Sequence, residues 1–441
     1  MQILQIQTDL LRASGGRRRG GRRQMQRLPA VVRSRRNYDP KVVSLGPYHH
    51  GEPHLILGES FKAKAVEAFI TGSGKDKAFF RDNILNEISE IRACYDAGST
   101  SDYDDQALSE MMLLDGCFII NHMEALSNSN KLDGILDTMG MVGFSYTVTD
   151  MFLIENQIPF RVISLLTRLR YDEEKGSDLL DGLLNFSTFH DSRHGEESGD
   201  DMPLHLLEAL RRKLTYTSPM NEPVQPKWNL FRHRKDSKTR SSSSSSAGHS
   251  TLKALAYTSR SVTDLKAKGI YFAPSPTSCL KDVTFQSHNI FFARLLLPAR
   301  FISNKSIILF SNLIAYELCA SGATDYTVTS YVNLMKSMIH SARDVKELRE
   351  RRILISNVGG DEEVMRVLRE IETYDVENAD IFDGVKARIE KHYGSRRLTW
   401  MAELVHKYFD SPWTAIALFA GVFLLLLTLA QTLFTIHPFH V

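Results

Sequence analysis

One part of the chain is an uncharged apolar run that few folds can accommodate. Residues 414–436 read TAIALFAGVFLLLLTLAQTLFTI, twenty-three residues without an acidic or basic side chain. A bilayer core about 30 Å thick needs roughly 20 apolar helical residues, so this run is long enough to cross it. The alternative is a buried helix in a large soluble core. The sequence therefore predicts a transmembrane helix at 413–436 and a short tail at 437–441, and we expect a lipid bilayer as a partner.

Charges beside the run predict its orientation. Arg396, Arg397 and Lys407 lie within about twenty residues before it, whereas 437–441 contain neither Lys nor Arg. The positive-inside rule then places the large N-terminal body in the cytosol, at the plasma membrane or an endomembrane. The reverse topology is the alternative, and it would expose two glycosylation sequons, NFS at 185–187 and NKS at 304–306.

Neither the first residues nor the cysteines indicate secretion. Met1–Leu11 is only half apolar and runs directly into Arg12, without the apolar core of a signal peptide. An Arg-rich organellar transit peptide is the alternative. The four cysteines lie far apart and form no CxxC pair. Their spacing suits a reducing compartment better than a disulfide framework.

Two segments contain few apolar residues, and we expect both to be disordered. Residues 12–36 contain ten arginines and no acid, although the net charge of the whole chain is only +2, so 1–36 is predicted to be an Arg-rich leader. The leader could contact anionic lipid, but without interleaved aromatic residues we expect no nucleic-acid binding. The second segment, at about 219–250, has six consecutive serines after a basic run, and Ser241 and Ser242 are candidate phosphorylation sites.

Elsewhere the spacing of apolar residues is mostly helical. A few short aromatic or β-branched stretches, punctuated by prolines, predict a small sheet packed on the helices. The predicted fold is mainly α: a large helical domain at 37–410 with a small β-sheet element, followed by one C-terminal transmembrane helix. The predicted helices are Ser60–Ile70, Phe79–Tyr95, Asp104–Leu126, Thr147–Arg170, Leu204–Leu214, Ser303–Cys319, Thr327–Ile339, Ala342–Ile355, Glu362–Glu372 and Glu377–His392, and the predicted strands are Gly269–Phe272, Val283–Gln286 and Phe291–Ile302.

Signatures of catalysis and of metal binding are weak throughout the chain. The string GSGK at 72–75 lacks the earlier glycine of a phosphate-binding loop. His49 and His50 are adjacent in an extended stretch, so their side chains point to opposite faces and cannot easily share one ion. No GxSxG nucleophile motif occurs. We therefore predict no cofactor and no metal site, and the sequence identifies no small-molecule ligand.

A more informative pattern is a set of polar residues inside apolar runs. Asp115 lies in MMLLDGCFII, residues 155–157 lie in DMFLIENQIPF, and Asn312 and Glu317 lie in LFSNLIAYE. Burying such groups is costly unless they form hydrogen bonds. We interpret them as a polar network that fixes how the helices pack. The alternative is the catalytic cleft of a membrane-bound hydrolase, with Asp115, Glu155 and Glu317 as candidate catalytic residues.

The same strings belong to an ordered set of motifs. In chain order the motifs are YDP at 38–40, VSLGPYHHG at 43–51, MMLLDGCFI at 111–119, DMFLIENQIPF at 150–160, DLKAKGIYF at 264–272, NLIAYE at 312–317, TSYVNLM at 329–335 and PW at 412–413. This set resembles the plant family known as domain of unknown function 247, over residues 28–434. The chain departs from the family pattern in its leader, in its long poly-Ser insertion and at Met365–Ile371.

The resemblance implies a plant-specific protein that ends in one transmembrane helix and has no established biochemical activity. Some members of the family are implicated in pollen–stigma self-recognition in grasses, which implies an interaction role. The resemblance therefore favours a membrane-anchored interaction or recognition module, in self-recognition or signalling, rather than an enzyme.

One face of the predicted transmembrane helix carries small and polar residues. The face consists of Ala417, Gly421, Thr428, Gln431 and Thr435. Membrane helices associate through close backbone approach at small residues and through hydrogen bonds from polar ones. We therefore expect self-association or a protein partner along this face, with a passive anchor as the alternative.

Overall fold

A computed structural model gives the fold and describes residues 23–29, 32, 37–188, 202–216, 259–287, 292–319, 324–394 and 412–436. In the last of these ranges, side chains are described at Ile416, Ala417 and 419–432. The described chain is mainly α-helical and contains two small β-sheets. The predicted fold class is confirmed to that extent.

Short strands interrupt a long series of helices in the described residues. The helices are α1 (Ile56–Thr71), α2 (Lys77–Asn86), α3 (Ile88–Arg92), α4 (Asp105–Ser127), α5 (Ser129–Asp150), α6 (Phe160–Arg170), α7 (Glu173–Thr188), α8 (Leu206–Thr215), α9 (Val262–Ala267), α10 (Asn304–Cys319), α11 (Thr327–Met338), α12 (Ala342–Glu350), α13 (Asp361–Glu370), α14 (Ala379–Tyr393) and α15 (Pro412–Ile436). The strands are β1 (Ile270–Pro274), β2 (Thr284–Ser287), β3 (Ala293–Leu297), β4 (Arg300–Ile302) and β5 (Leu354–Ser356).

Helix α4 is the centre of the N-terminal half. Fifteen of its 23 residues are buried, which is typical of a core helix rather than a surface helix. Helices α1, α2, α5, α6 and α7 pack around it. Its first turn is capped by Asp104, whose carboxylate accepts the Ala107 N–H at 2.7 Å. Gly116 lets α6 approach closely, because a Cβ at that position would lie 2.5 Å from Leu166 Cδ1.

The strands form two separate sheets. Strand β3 is the middle strand of the first sheet, parallel to β1 and antiparallel to β2. Strand β4 pairs in parallel with β5 in the second sheet, with Arg300 opposite Leu354. The prediction of a single strand at Phe291–Ile302 is therefore wrong, because this stretch forms two strands, β3 and β4, in different sheets. Pro298, which cannot donate a ladder hydrogen bond, lies between β3 and β4.

Three predicted helices were too long. One of them, Phe79–Tyr95, is divided between α2, which ends at Asn86, and α3, which ends at Arg92. The predicted helix Ala342–Ile355 ends at Glu350, and β5 follows after Arg352, whose φ of 58° is left-handed. The predicted helix Thr147–Arg170 is interrupted between α5 and α6, where residues 151–159 form turns. Pro159 disfavours a helical residue before it and is tolerated at a helix start, which explains why α6 begins immediately after it.

The described chain begins inside the predicted leader. Met25, Leu28 and Val32 are buried, and the Met25 N–H donates to the Cys94 carbonyl at 2.7 Å. Folded residues therefore lie within the segment 1–36 that we expected to be disordered. The predicted insertion at 219–250 lies outside the described residues, and so do Ser241 and Ser242.

The predicted transmembrane segment coincides with α15, a helix of 25 residues. Its described large side chains are exposed, including Phe423 at 62% and Leu425 at 72%. Counted over the residues and side chains that the structure describes, no helix is long and apolar enough to cross a membrane. The membrane span therefore stays a prediction.

Candidate functional site

Buried polar side chains converge on an irregular segment that precedes α1. This segment, residues 37–51, is called the arm and consists of turns and bends. Because it has no helical or strand ladder of its own, its backbone groups need other hydrogen-bonding partners. Side chains from α4, α5, α10 and the connection at 151–159 supply several of them.

Asp115 on α4 joins the arm to α1. Its Oδ2 accepts the Gly46 N–H at 2.7 Å, and its Oδ1 lies 2.6 Å from the Lys62 Nζ, with both side chains only 1% exposed. Burial by itself lowers the pKa of Lys62, but the Asp115 and Glu59 carboxylates outweigh it and raise that pKa. Lys62 is therefore a buried cation, and it also donates to the Ser44 hydroxyl at 3.2 Å.

Gly46 is a position where only glycine fits. Its φ is +73°, in the left-handed region, and a Cβ there would lie 2.5 Å from the Gln157 carbonyl oxygen and 2.9 Å from the Tyr95 hydroxyl. A side chain would therefore meet both backbone strain and a fixed backbone atom. The glycine lets the arm turn closely against the 151–159 connection.

The side chain of Asp150, the last residue of α5, binds the backbone of the arm. Its carboxylate accepts the N–H groups of Lys41 at 3.1 Å, Val42 at 2.7 Å and Val43 at 3.1 Å. Burial raises the pKa of Asp150 to about 6, although these three hydrogen bonds act in the opposite direction. One side chain thus satisfies three consecutive donors of the arm.

Asn156 completes the attachment of the arm. Its Oδ1 accepts the Leu45 N–H at 2.7 Å, and its Nδ2 donates to the Val43 and Asp150 carbonyls, both at 3.0 Å. We call the set Asp115, Lys62, Asp150 and Asn156 the arm clasp. Each member pairs with backbone or charge that would otherwise be buried without a partner.

Gln157 and Glu155 extend these contacts beyond the arm. Gln157 Nε2 donates to the Met151 and Leu153 carbonyls, both at 2.8 Å, which stabilises the turns between α5 and α6. Glu155 Oε1 accepts the Leu28 N–H at 2.5 Å. His49 Nε2 lies 3.9 Å from the other Glu155 oxygen. Within the described residues, no group of three or more His, Cys, Asp or Glu side chains could hold a metal ion.

A second buried carboxylate, Glu317 on α10, contacts α8 and the first turn of α11. Its Oε1 accepts the Arg211 Nε–H at 2.8 Å and the Val328 N–H at 3.0 Å. Its Oε2 accepts the Thr329 N–H at 2.9 Å and the Thr329 hydroxyl at 2.7 Å. Arg211 also donates to Asp325. We call Glu317, Arg211 and Asp325 the Glu317 cluster.

Opposite charges within the Glu317 cluster stabilise the charged forms of Arg211 and Asp325. Burial alone lowers the pKa of Arg211, but Glu317 and Asp325 outweigh it and raise that pKa. Burial alone raises the pKa of Asp325, but Lys281, Thr327 and Arg211 hold it well below its usual range. The carboxylate of Glu317 lies at the N-terminus of α11, where the helix dipole favours negative charge.

The three candidate catalytic residues are buried but have different partners. Asp115 contacts Gly46 and Lys62, Glu155 contacts Leu28 and His49, and Glu317 contacts α8 and α11. Asn312 follows the same pattern, because its Oδ1 accepts the Ile154 N–H at 2.8 Å. This arrangement can fix the packing of distant segments.

The sequence did not predict Lys62, Asp150 or Arg211 as buried partners. Lys62 was missed although it lies in line with Val66 and Phe69, four and seven residues later, on the buried face of α1. That helical spacing was the available signal. Asp150 opens a motif string but stands at its polar end, and Arg211 looks like an ordinary basic residue of an amphipathic helix. Neither residue carries a signal of burial in the sequence alone.

Two of the cysteines, Cys117 and Cys319, have thiols that are poor nucleophiles. Burial raises the pKa of the Cys117 thiol well above its usual range and raises the pKa of Cys319 to about 12, so both are protonated at neutral pH. On α15, Ala417, Gly421, Thr428 and Gln431 lie among the described residues, whereas the side chain of Thr435 lies outside them.

Comparison with known proteins gives a consistent family assignment. The profile of the family DUF247, described as plant protein of unknown function, matches residues 25–427. The UPF0481 protein At3g47200 of Arabidopsis thaliana is 28% identical over 420 residues, which cover 90% of this chain and 82% of the relative. A second UPF0481 protein of that plant, At3g02645, is 21% identical over 469 residues, covering 90% and 86%. No solved structure matches significantly.

Proposed function

The chain belongs to the DUF247 family of plant proteins, and we propose that it is a membrane-anchored interaction or recognition module. In this proposal α15 anchors the protein in a lipid bilayer and the helical domain binds a protein partner. The observation that carries the proposal is α15 itself, 25 residues without a charge.

Exposed apolar side chains on α15 support the anchor. Phe419, Phe423, Leu425 and Leu426 are each 59–72% exposed. Burying one Leu or Phe side chain is worth about 1.5–3 kcal/mol, so a continuous row of them is strongly unfavourable in water. A bilayer would cover the whole circumference, whereas a protein groove would cover one side.

An interaction role is supported by how the domain uses its carboxylates. Both oxygens of Asp115 and both oxygens of Glu317 face donors from the chain itself. A catalytic acid or base must instead reach a substrate proton. The hydrolase alternative is therefore the less favoured one, and Asp115→Asn, discussed below, tests it.

The small and polar face of α15 supports association in the membrane. The Thr428 hydroxyl donates to the Leu424 and Leu425 carbonyls, both at 2.9 Å, so its polar group is used within the helix and its methyl group can face a neighbour. A Cβ added at Gly421 would meet nothing within 4 Å. This face could therefore admit a second helix at close range.

Alkaline carbonate extraction of plant membranes tests the anchor. We expect the full-length protein to remain in the pellet, and Leu425→Arg combined with Leu426→Arg to release it. Each Arg at the centre of a span costs about 2.5–3.5 kcal/mol of insertion free energy. The matched control is Leu57→Arg, at a residue of α1 that is 61% exposed. Release of the wild-type protein would overturn the anchor.

Glycosidase treatment and crosslinking test the finer points. A cytosolic body predicts no glycosidase-sensitive mobility shift from the sequons at 185–187 and 304–306, so a shift would reverse the topology. Pairing along α15 predicts that Gly421→Ile and Gln431→Leu each weaken crosslinking, while Phe423→Ala does not. Equal crosslinking of all three variants would reduce α15 to a plain anchor.

A further inference from the structure

A small pocket beside α10 has a positively charged lining. The cavity volume is about 70 Å³, and α5, α7, α8, β4 and α10 contribute to its walls. Arg300 and Lys305 line it, and the described residues that line it include no Asp or Glu. The remaining walls are hydroxyl and apolar side chains, such as Ser306, Phe152 and Phe310.

Lys305 has donor capacity left for a ligand. Its Nζ donates to the Ser145 carbonyl at 2.6 Å and to the Ser145 hydroxyl and lies 4.8 Å from the centre of the Tyr146 ring. One of its three N–H groups therefore makes no hydrogen bond to the described residues. Burial lowers the pKa of Lys305, and Asp150 only partly opposes that shift. Asp150 itself is engaged by the backbone of the arm, through Val42 and its two neighbours.

Arg300 is a buried cation, and no carboxylate among the described residues pairs with it. The residue is 5% exposed, one guanidinium nitrogen donates to the Ser278 carbonyl, and Nε has no hydrogen-bond partner in the described part of the chain. Burial lowers its pKa, and the groups that oppose the shift are the side chains of Tyr331 and Cys279 rather than a carboxylate. A buried positive charge without a counter-ion is unfavourable, so an anion nearby would stabilise it.

A groove elsewhere in the domain gives a direct contrast. It has a volume of about 640 Å³ and is lined by Lys131 and Arg170, among others. Both cations contact Glu124, at 2.8 and 3.2 Å. The groove therefore contains its own counter-charge, whereas the described lining of the α10 pocket does not.

We propose that the α10 pocket binds a small organic carboxylate, with the anionic group at Lys305 and an apolar body against Phe152 and Phe310. An engineered cavity that holds benzene has a volume of roughly 150 Å³, about twice that of this pocket. The enclosed part therefore suits about three heavy atoms, the size of a carboxylate group, and the apolar body of the ligand extends from there toward the mouth of the pocket. Phe186, which is 38% exposed, lines the mouth and would contact a longer chain.

Calorimetric titration of the full-length protein in an uncharged detergent tests the site. The probes are sodium isobutyrate and its neutral isostere isobutyramide. We expect saturable binding of isobutyrate and at least tenfold weaker binding of the amide. Equal binding of the two probes, or no binding of isobutyrate up to tens of millimolar, would overturn the proposal.

Two variants separate the pocket from general charge effects. Lys305→Met keeps the length of the side chain and removes the charge, and we expect at least a tenfold loss of isobutyrate affinity. Lys131→Met, in the groove, is the matched control and should leave the affinity unchanged. Lys305→Arg keeps the charge and should retain binding even if Lys305→Met reduces folding. Equal losses in Lys305→Met and Lys131→Met, or competition by chloride as strong as that by isobutyrate, would also overturn the proposal.

Discussion

The arm clasp and the Glu317 cluster both join distant segments through a buried carboxylate and a buried cation, but the two carboxylates differ in the number of partners they have. In the clasp, Asp115 has one cation and one backbone N–H as partners, and Lys62 is sealed beside it. In the Glu317 cluster, the carboxylate accepts four hydrogen bonds, and Arg211 has a second carboxylate in Asp325. Each cation thus has a second, partly exposed carboxylate, which is Glu59 for Lys62, at 2.8 Å. The two centres differ in how many hydrogen bonds the buried carboxylate accepts and in how fully the cation is buried, because Lys62 is 1% and Arg211 10% exposed.

This difference follows from what each centre holds. The Glu317 cluster binds helices that already satisfy most of their own backbone groups, so it adds to an existing ladder. The arm has no such ladder, and side chains such as Asp150 and Asn156 supply its hydrogen bonds directly. A buried polar network is most sensitive where each member has no substitute. We therefore expect the clasp to be the more sensitive of the two.

The largest expected effect is that of Asp115→Asn. The amide removes the buried counter-charge of Lys62, whose side chain is 1% exposed, and leaves it only the partly exposed carboxylate of Glu59 at 2.8 Å. Removing one partner of a buried ion pair costs about 3–5 kcal/mol. The measurement is the free energy of unfolding in urea, followed by circular dichroism on the full-length protein. Unchanged stability together with loss of a biological activity would instead support the hydrolase alternative.

A double variant sharpens this test. Asp115→Leu combined with Lys62→Met removes both charges, and an apolar replacement of a buried pair is often close to neutral. The double variant should therefore recover most of the stability that Asp115→Asn loses. The Gly46 N–H remains without its acceptor, which sets a remaining cost of about 1–3 kcal/mol.

The next effect concerns the backbone of the arm. Gly46→Ala should lower the free energy of unfolding by about 3 kcal/mol, because left-handed strain adds to a clash with the Gln157 carbonyl. Gly51 is the matched control: its φ is +82°, but a Cβ there would meet nothing within 4 Å. Gly51→Ala should therefore cost only about 1 kcal/mol. Equal costs would show that contact with residue 157 does not hold the arm.

A smaller effect is expected in the Glu317 cluster. Glu317→Gln turns one acceptor oxygen into a donor, but Arg211 keeps Asp325, so we expect a loss of about 2 kcal/mol in the same unfolding measurement. Asp325→Asn should cost less than 1 kcal/mol, because its side chain is 39% exposed. A loss for Glu317→Gln larger than that for Asp115→Asn would reverse the comparison between the two centres.

The sequence predicted the strongly local parts of the fold. Helix α4 was predicted at Asp104–Leu126 and runs over Asp105–Ser127, because a capping aspartate precedes a long apolar run. Much of α5 was missed, since residues 129–146 contain several glycines, and Gly140 has a φ of 69° within the helix. Strand β5 was missed because it pairs only with β4, more than fifty residues away, and non-local pairing leaves no periodic signal.

The candidate site shows the same limit. Asp115, Glu155, Asn312 and Glu317 could be predicted to be buried and polar, because each interrupts an apolar run. Their partners could not be predicted, since most are backbone N–H groups such as that of Gly46. Any residue except proline offers such a donor, so its position depends on tertiary structure rather than on side-chain identity.

The expected pH dependence of the helix that carries Arg211 is smaller than the effects of Asp115→Asn, Gly46→Ala and Glu317→Gln. His205 caps α8 by accepting the Glu208 N–H at its Nδ1, at 3.2 Å, and a protonated ring has no acceptor. Burial lowers the pKa of His205 to about 4; Glu208 opposes this shift, while Arg23 and Arg212 support it. The unfolded chain, with an ordinary histidine pKa near 6.5, binds the proton first as the pH falls.

The contribution of His205 to stability is therefore complete above about pH 6.5 and is lost as the pH falls toward 4. Between pH 7 and pH 5.5 we expect a loss of about 1 kcal/mol from this residue. His205→Asn keeps a good capping group and has no ring to protonate. Between pH 7 and pH 5.5 this variant should therefore lose about 1 kcal/mol less stability than the wild-type protein. His122, whose pKa burial also lowers to about 4, contributes equally to both proteins and cancels in the difference. Parallel pH profiles for the two proteins would mean that the cap at α8 does not depend on an unprotonated ring.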